Sequence, residues 1–459
     1  MTLRVLIIGA GTGGLALAHC LLQSSSTAVP ISVTVFERDR TRRDGLQGYR
    51  VGISPEGARS LSACIPPSLF SLFRATAAAT PDHLNMFTEH LSELLSISGF
   101  ASPAADGVAA EYSVSRMTLR QLLLTGLEDV VQFDKRFTRY ENNADGTVTA
   151  HFEDGSSAVG DALVGADGTN SPVRRQYLPH AVVRDSGLRG LGVKVPLTAE
   201  TRALLTPQML RGVTMVHAAH GDTAILHVME FPWDADHGPL PGAVGSSDAH
   251  LLAAWPGALF DNTRDYVLLG FGAPRARLPD DVLALPGEAI RELLLERTAA
   301  WHPNLRRLFE LSDPTTGFAL AVRTSERVSP AWASSQVTLI GDAVHTMTPG
   351  LGVGANTALL DARILGERLT RAAAGELGVV EAVAGYEAEM HGYAWERVEK
   401  SLERFDESDA IYRPGWTGWL AMMGMRAGLR LVNNVPPLKR RMAAQIHRQR
   451  GEMEERPEK

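Results

Sequence analysis

The residues able to do chemistry in this chain gather at the ends of three short apolar runs. The first run lies in "LRVLIIGAGTGGLALAHCLLQ", where Gly9, Gly11 and Gly14 follow Val5 to Ile8 in the spacing G-x-G-x-x-G and a helical pattern begins at once. A buried strand, a glycine turn and a helix in that order make a cradle for a pyrophosphate. Gly9 permits the tight turn, Gly11 leaves room for the phosphates and Gly14 lets the helix approach the strand. The first N–H groups of the helix then point at the anion. A second strand, "ISVTVFERDR", ends at Glu37, whose carboxylate can accept both ribose hydroxyls of an adenosine. Arg38, beside it, belongs to the same candidate set. Glu37 comes somewhat later than the nominal interval of about 20 residues, and the polar "QSSSTAVP" loop accounts for the excess. From this stretch alone, NAD and FAD both remain open.

Two more segments carry the same logic. "LVGADGTNSPVR" holds Asp167 and Gly168, and "LIGDAVHTMTPGLGVGAN" holds Asp342 and the loop Pro349, Gly350, Leu351, Gly352, Val353 and Gly354. Each ends a buried strand with a polar turn, which is where an open parallel sheet places its ligand loops. One glycine turn serves a pyrophosphate, but the ribityl chain and ring of an FAD need more protein. In that reading Asp342 points at the ribityl hydroxyls. The helix beginning near Leu351 to Gly354 aims its N-terminus at the pyrimidine edge of the flavin, where reduction places negative charge.

The elements that must position these segments follow from periodicity and turn chemistry. "SPEGARSLSAC" starts a helix, with Ser54 as cap and Pro55 in its first position. "YSVSRMTLRQLLLTGLED" has a helical period that sends Leu119, Leu122, Leu123 and Leu127 to a core, with Ser115 as cap and Arg116 and Arg120 sharing one face. "VQFDKRFTRYENNADGTVTAHFEDGSSAVGDALVGADG" reads as a small antiparallel insertion with turns at "NADG" and "EDGS", returning to a buried strand at Ala162 to Val164. Four β-like runs between 187 and 280 suggest an antiparallel sheet, with a long polar loop, "PWDADHGPLPGAVGSSDAHLL", between two of them. Residues 286–311 read as a helical stretch. Glu381 to Leu402 reads as a long surface helix.

The combination "GAGTGG", "GADGTNSPVR" and "GDAVHTMTPGLGVGAN" resembles the class A, single-component FAD-dependent aromatic hydroxylases and monooxygenases, the para-hydroxybenzoate hydroxylase-like family, over roughly residues 3–400. The resemblance implies an α/β (α+β two-domain) fold. A Rossmann-like FAD-binding domain with a parallel sheet is interleaved with an antiparallel-sheet substrate domain, and a helical C-terminal region follows. The expected boundaries are 1–75, 101–180 and 321–400 for the FAD-binding domain, 76–100 and 181–320 for the substrate domain, 401–450 for the C-terminal helices and 451–459 for a disordered tail. It assigns Asp342 to the ribityl oxygens, and Asp167 with Gly168 to the pyrophosphate and the reductant. It assigns Arg116, in preference to Arg120, to the FAD phosphates or ribityl, and Pro349 to Gly352 to the flavin ring. It also implies NADPH or NADH as a transient reductant, since no second nucleotide-binding fold is found. The activity implied is O2-dependent hydroxylation or epoxidation of an aromatic or polycyclic small molecule through a C4a-hydroperoxyflavin. Arg50, in "GLQGYRVGISPEG", occupies the place of a residue near the isoalloxazine and the substrate; it is the one candidate for a catalytic role.

Other residues carry weaker signals. His345 sits in the cofactor loop without metal-ligand spacing, and His217, His220 and His227 lie in strand-like pieces. Each reads first as a structural histidine. Tyr112, Arg323 and Trp233 have no firm role, and no metal site is expected. A net charge of -7 gives no case for nucleic acid. Two cysteines, Cys20 and Cys64, make a disulfide framework unlikely. Without a signal-peptide pattern or an apolar run of about 18 residues, the expected location is cytoplasmic, with peripheral membrane contact the one exception. That exception is the apolar and basic segment 412–441, which reads as a helix folded back on the body in preference to a membrane or partner surface. The competing functions are an FAD-dependent dehydrogenase or reductase of the same fold, a flavin halogenase lacking its W-x-W-x-I-P segment, and a non-catalytic FAD-binding interaction protein.

Overall fold

The computed structural model describes residues 2–25, 30–42, 44, 49–99, 109, 111–218, 221–231, 265–329, 332–403, 410–413 and 415–451. His220, Trp233, the expected long polar loop and residues 452–459 of the expected tail lie outside these residues.

Five parallel strands form the first sheet. Their spatial order is Val337–Leu339, Ala162–Gly165, Leu3–Ile8, Ile31–Phe36, Val131–Gln132. In chain order that is 5-4-1-2-3, the doubly wound arrangement in which the order reverses beside the first strand. The strands are short and apolar because both faces are covered: Val5, Ile7, Leu163, Val164 and Val337 have no exposed surface. The reversal falls between Leu3–Ile8 and Ala162–Gly165, so the turns after Ile8 and Gly165 open the same crevice.

Two helices join the halves of this crevice. The first, Thr12–Ser25, packs against Gly354–Ala373 through small residues. A Cβ on Gly13 would come within 3.3 Å of Ala358, and one on Gly366 would overlap the Cys20 sulfur. Close approach here fixes the N-terminal glycine turn relative to the loop 349–354, more than 300 residues later.

The second sheet has seven strands in the order Asp313–Ser325, Val183–Pro196, Tyr266–Pro274, Thr223–Met229, Gly212–His217, His83–Thr88, Glu93–Ser98. It is antiparallel as expected except for one parallel pair, Gly212–His217 with His83–Thr88. That pair arises because His83–Thr88 arrives from the other half of the molecule and not by a hairpin. One face buries Leu191, Val193, Val195 and Phe271 under Gly287–Arg297 and Pro303–Glu310. These are two helices where the sequence suggested one stretch, since Pro303 bars helical backbone at His302. The other face looks toward the first sheet.

The insertion forms a three-stranded antiparallel meander, Phe137–Asn142, Val148–Phe152, Ser157–Gly160, with the expected turns. A two-stranded ribbon, Arg50–Ile53 with Tyr112–Ser115, leads into the helix Arg116–Leu124. Ser54 caps the helix Pro55–Cys64 through its side chain, as read. Ser115 holds the cap position of Arg116–Leu124, but its hydroxyl bonds no helix N–H. The helix Val379–Leu402 is not merely a surface helix: Tyr386, Met390, Ala394 and Trp395 are buried, and the Tyr386 hydroxyl donates to Leu339 O at 3.0 Å.

The C-terminal helices Trp416–Asn434 and Pro436–Gly451 fold back on the second sheet, packing Leu429, Val432, Met442 and Ile446 against Leu95 and Ile97. Arg426, largely buried, ion-pairs with Glu89 and donates to His217 O at 2.5 Å. Arg426→Ala strands a buried carboxylate, which costs about 3 kcal/mol; amide exchange in Glu93–Ser98 is expected to speed up, and unchanged protection would exclude this docking role. No described helix is long and apolar enough to cross a membrane.

Candidate functional site

The crevice of the first sheet and the open face of the second enclose one cleft of about 2210 Å³. Small-molecule pockets commonly span about 300–1,000 Å³, so this volume suits a large cofactor together with a second molecule. Gly11, Gly14, Arg50, Arg116, Gly168, Asp342 and residues 349–354 all line it.

The three glycines divide their work as their spacing suggests. Gly9 has φ +110, and a Cβ there would collide with the Ala166 carbonyl. A Cβ on Gly14 would strike Gly9 O. At Gly11 the nearest protein atom to a built Cβ is Ala166 O, at 4.0 Å. The fold requires glycine at the first and third positions; at the second, the space is kept for something other than protein.

Glu37 is buried beside this turn. Its Oε2 accepts from Ala10 N at 2.8 Å and its Oε1 from Asp39 N at 3.0 Å. Arg120 braces the same corner, donating to Ala10 O at 3.3 Å and to Asp39 at 2.9 Å. Arg116, on the same helix, instead opens into the cleft and lies 5.2 Å from the centroid of the Tyr49 ring. Arg38 is exposed and lines a separate depression with Asp39, Asp134 and Asp154, away from the main cleft.

Asp167 sits where Ala162–Gly165 ends. Its Oδ2 accepts from Val173 N at 3.3 Å, while its buried Oδ1 has no hydrogen-bond partner. Burial raises this carboxyl above the usual Asp value, opposed by Ser171, Val173 N and the Arg174 charge. Asp342 projects into the open space of the cleft, and its carboxylate accepts no hydrogen bond from the described residues. Enclosure raises its carboxyl as well, with the His345 and Arg116 charges pulling the other way. The helix Gly354–Ala373 has no side-chain cap at Val353. Its first N–H groups are therefore left for the cleft.

Beneath Asp342 lies a buried group that sequence reading passed over. Asp361 Oδ2 lies 2.7 Å from His345 Nε2 and accepts Gly341 N at 2.8 Å, while its Oδ1 accepts the Tyr393 hydroxyl at 2.6 Å. His345 and Asp361 have no exposed surface. Burial alone would lower the His345 imidazolium; the Asp361 charge and hydrogen bond, with Asp342, raise it instead. The signal was present as one acid in the apolar helix run "TALLDARIL". Asn356, likewise missed, ties Ser54 N and Gly52 O to this loop at 2.9 and 3.0 Å.

Arg50 lines the cleft but is held: its guanidinium bonds Ser113 Oγ at 2.9 Å and ion-pairs with Glu111. His227 and Arg323 also line the cleft, and Arg323 donates to Asn170 at 2.5 Å. His217 is buried away from it, its imidazole pushed down to about 4 by desolvation and by Arg426. Tyr112 packs against Phe73. Tyr412 and Ile446, from the C-terminal region, contribute to the cleft wall. Among the described residues no cluster has the makings of a metal site.

A family model described as an FAD binding domain matches residues 309–401. A crystal structure assigned to an FAD-containing monooxygenase of Photorhabdus luminescens is 30% identical to this chain, with TM-score 0.72, and the match covers 89% of this chain and 98% of that one. The chain belongs to the single-component FAD-dependent monooxygenases. The dual O-methyltransferase/FAD-dependent monooxygenase elcB of Phaeosphaeria nodorum is 31% identical over 92% of this chain and 46% of its own length. The chain thus spans about half the length of the fungal dual-function relatives it matches. The HpxO structure of Klebsiella pneumoniae with FAD and uric acid, 24% identical with TM-score 0.69 over 94% of this family member and 95% of that chain, shares the fold.

Proposed function

We propose that this protein uses NADPH or NADH and O2 to insert one oxygen atom into an aromatic or polycyclic small molecule. The observation that carries the reading is the single cleft, which runs from the glycine turn, past Asp342 and the loop 349–354, to the apolar face of the second sheet. FAD, when bound, supplies the electron transfer and the oxygen activation.

The chain's own groups supply binding and exclusion of water. The open space at Gly11 and the N-terminus of Thr12–Ser25 suit a pyrophosphate, with Glu37 near the adenosine end. Arg116 and Asp342 flank the place for the sugar chain, and Asp167 lies beside the turn with an acceptor oxygen to spare. The N-terminus of Gly354–Ala373 faces the place for the ring, where it favours negative charge. Leu84, Met86, Val213, Met215, Ile225 and Leu268 offer an apolar wall to a flat substrate. Arg50, tethered to Glu111 and Ser113, presents a fixed charge at the junction of the two parts.

The fungal relatives join this unit to an O-methyltransferase on one chain, which favours a substrate or product bearing aromatic hydroxyl groups. Anaerobic addition of NADPH or NADH to the FAD-loaded protein, with and without a panel of phenols, followed by O2, tests the reading. Substrate-stimulated reduction and a product heavier by one oxygen atom are expected. Reduction with no oxygen transfer to any compound that stimulates it would mark the protein as a dehydrogenase or reductase.

A further inference from the structure

Lys194 is the anomaly of the second sheet. It is 1% exposed, and its Nζ has no hydrogen-bond partner. It stands on the cleft side of the sheet. Leu84, Val213, His227 and Leu268 form one row across four strands, each paired with the next, and all four line the cleft. Lys194 pairs with Leu268 and extends that row by one strand. Two residues along its own strand, a Cβ on Gly192 would meet the ring of Phe318, another wall of the cleft.

The surroundings leave Lys194 without a counter-ion. Asp313, its partner on the other side, holds Thr315 N and Oγ1 through its Oδ1 at 2.9 and 2.7 Å and acts on Lys194 only from beyond ion-pair distance. The ammonium instead lies 4.4 Å from the centroid of the Tyr266 ring. The Tyr266 hydroxyl is itself buried without a closed hydrogen bond, and so is the hydroxyl of Ser115, which faces it and caps no helix N–H. Three buried polar groups from three elements thus meet just behind Leu268 and Phe318, which line the cleft. Groups of this kind are costly unless a partner arrives. Desolvation lowers the Lys194 ammonium to about 7, with Asp313 opposing, so an entering acidic oxygen restores the charge that burial disfavours.

We propose that Lys194, Tyr266 and Ser115 form a subsite for an ionised oxygen on the substrate, a phenolate or carboxylate conjugated with its aromatic system. This rests on the cleft being the substrate site proposed above. A charge-assisted pair also explains how a wall that is otherwise apolar orients a flat ligand end-on.

The test is equilibrium binding to the FAD-loaded full chain, without reductant, read from perturbation of the flavin absorption. The probes are naphthol against methoxynaphthalene, and naphthoate against its methyl ester. At least one acidic probe is expected to bind about tenfold or more tighter than its methylated counterpart, and which one identifies the oxygen as phenolic or carboxylic. Lys194→Met is expected to erase that preference while raising the thermal midpoint, because the amine serves the ligand at a cost to the empty fold. Should that variant fail to hold FAD, Tyr266→Phe, which deletes one hydroxyl, must reduce the preference severalfold. Equal binding of acidic and methylated probes by the wild type, or a preference that survives these substitutions, overturns the proposal. Lys194-dependent binding in a protein that transfers no oxygen would overturn the monooxygenase reading and leave the subsite standing.

Discussion

Gly11→Val is expected to yield a folded protein that no longer holds FAD. The valine meets little in the apoprotein, since Ala166 O at 4.0 Å is the nearest atom to its Cβ. Its methyl groups fill the space that the glycine turn keeps open at the N-terminus of Thr12–Ser25. A pyrophosphate displaced from those N–H groups loses its charge-assisted hydrogen bonds. An affinity loss of at least about 10³-fold, about 4 kcal/mol, is expected in a flavin-release titration, with the far-ultraviolet spectrum and the apoprotein denaturation midpoint close to wild type. Gly9→Val is the contrast. There φ is +110 and the Cβ overlaps the Ala166 carbonyl, so strain and overpacking of roughly 2–6 kcal/mol fall on the fold itself. If both variants lost flavin and stability in parallel, the open space at Gly11 would have no special relation to the cofactor.

Asp361→Asn carries the second large effect, and its signature is a pH dependence. The carboxylate holds Gly341 N, the Tyr393 hydroxyl and the His345 ring, all without solvent. Neutralising it leaves an imidazolium buried without its counter-charge, a loss of about 3–5 kcal/mol where the pair is fully formed. The His345 pKa is raised in the folded state. A raised folded value means that the folded state binds more protons than the unfolded one between the two pKa values. The pair's contribution is thus complete below the unfolded value of 6.5 and fades as pH rises through the folded value. The difference in denaturation midpoint between wild type and variant should be largest in mildly acidic buffer and narrow toward alkaline pH. A difference constant across that range would show that His345 does not titrate with the fold. Since Gly341 N anchors the turn that presents Asp342, the variant should also bind FAD more weakly.

How much of this was legible beforehand differs from residue to residue. The glycine turn announced itself because its requirements are local: Gly9 and Gly14 answer to atoms of their own strand–turn–helix unit and of the strand beside it. Asp342 and the loop 349–354 were legible for the same reason, a buried strand ending in a polar turn. Arg116 and Arg120 share one helical face, and sequence alone gave no physical ground to choose between them. The fold separates them by what stands opposite, Tyr49 and the cleft for one, Asp39 and Ala10 for the other. Arg38 has the right neighbour in sequence, yet it follows the buried Glu37 and so turns outward to another depression.

Sequence by itself therefore determined the strands, the turns that end them and the cofactor those turns imply. These depend on hydrophobic periodicity and on backbone geometry within a few residues. Tertiary structure alone decided what meets across the molecule: Asp361 under Gly341, Asn356 against the helix cap at Ser54, Arg426 on Glu89, and Lys194 beside Tyr266 and Ser115. A buried polar side chain is costly wherever it lies, and its partner is set by which elements pack together, not by spacing along the chain. For that reason the cofactor could be read from motifs, while the groups proposed to select the substrate came into view only when two sheets were brought face to face.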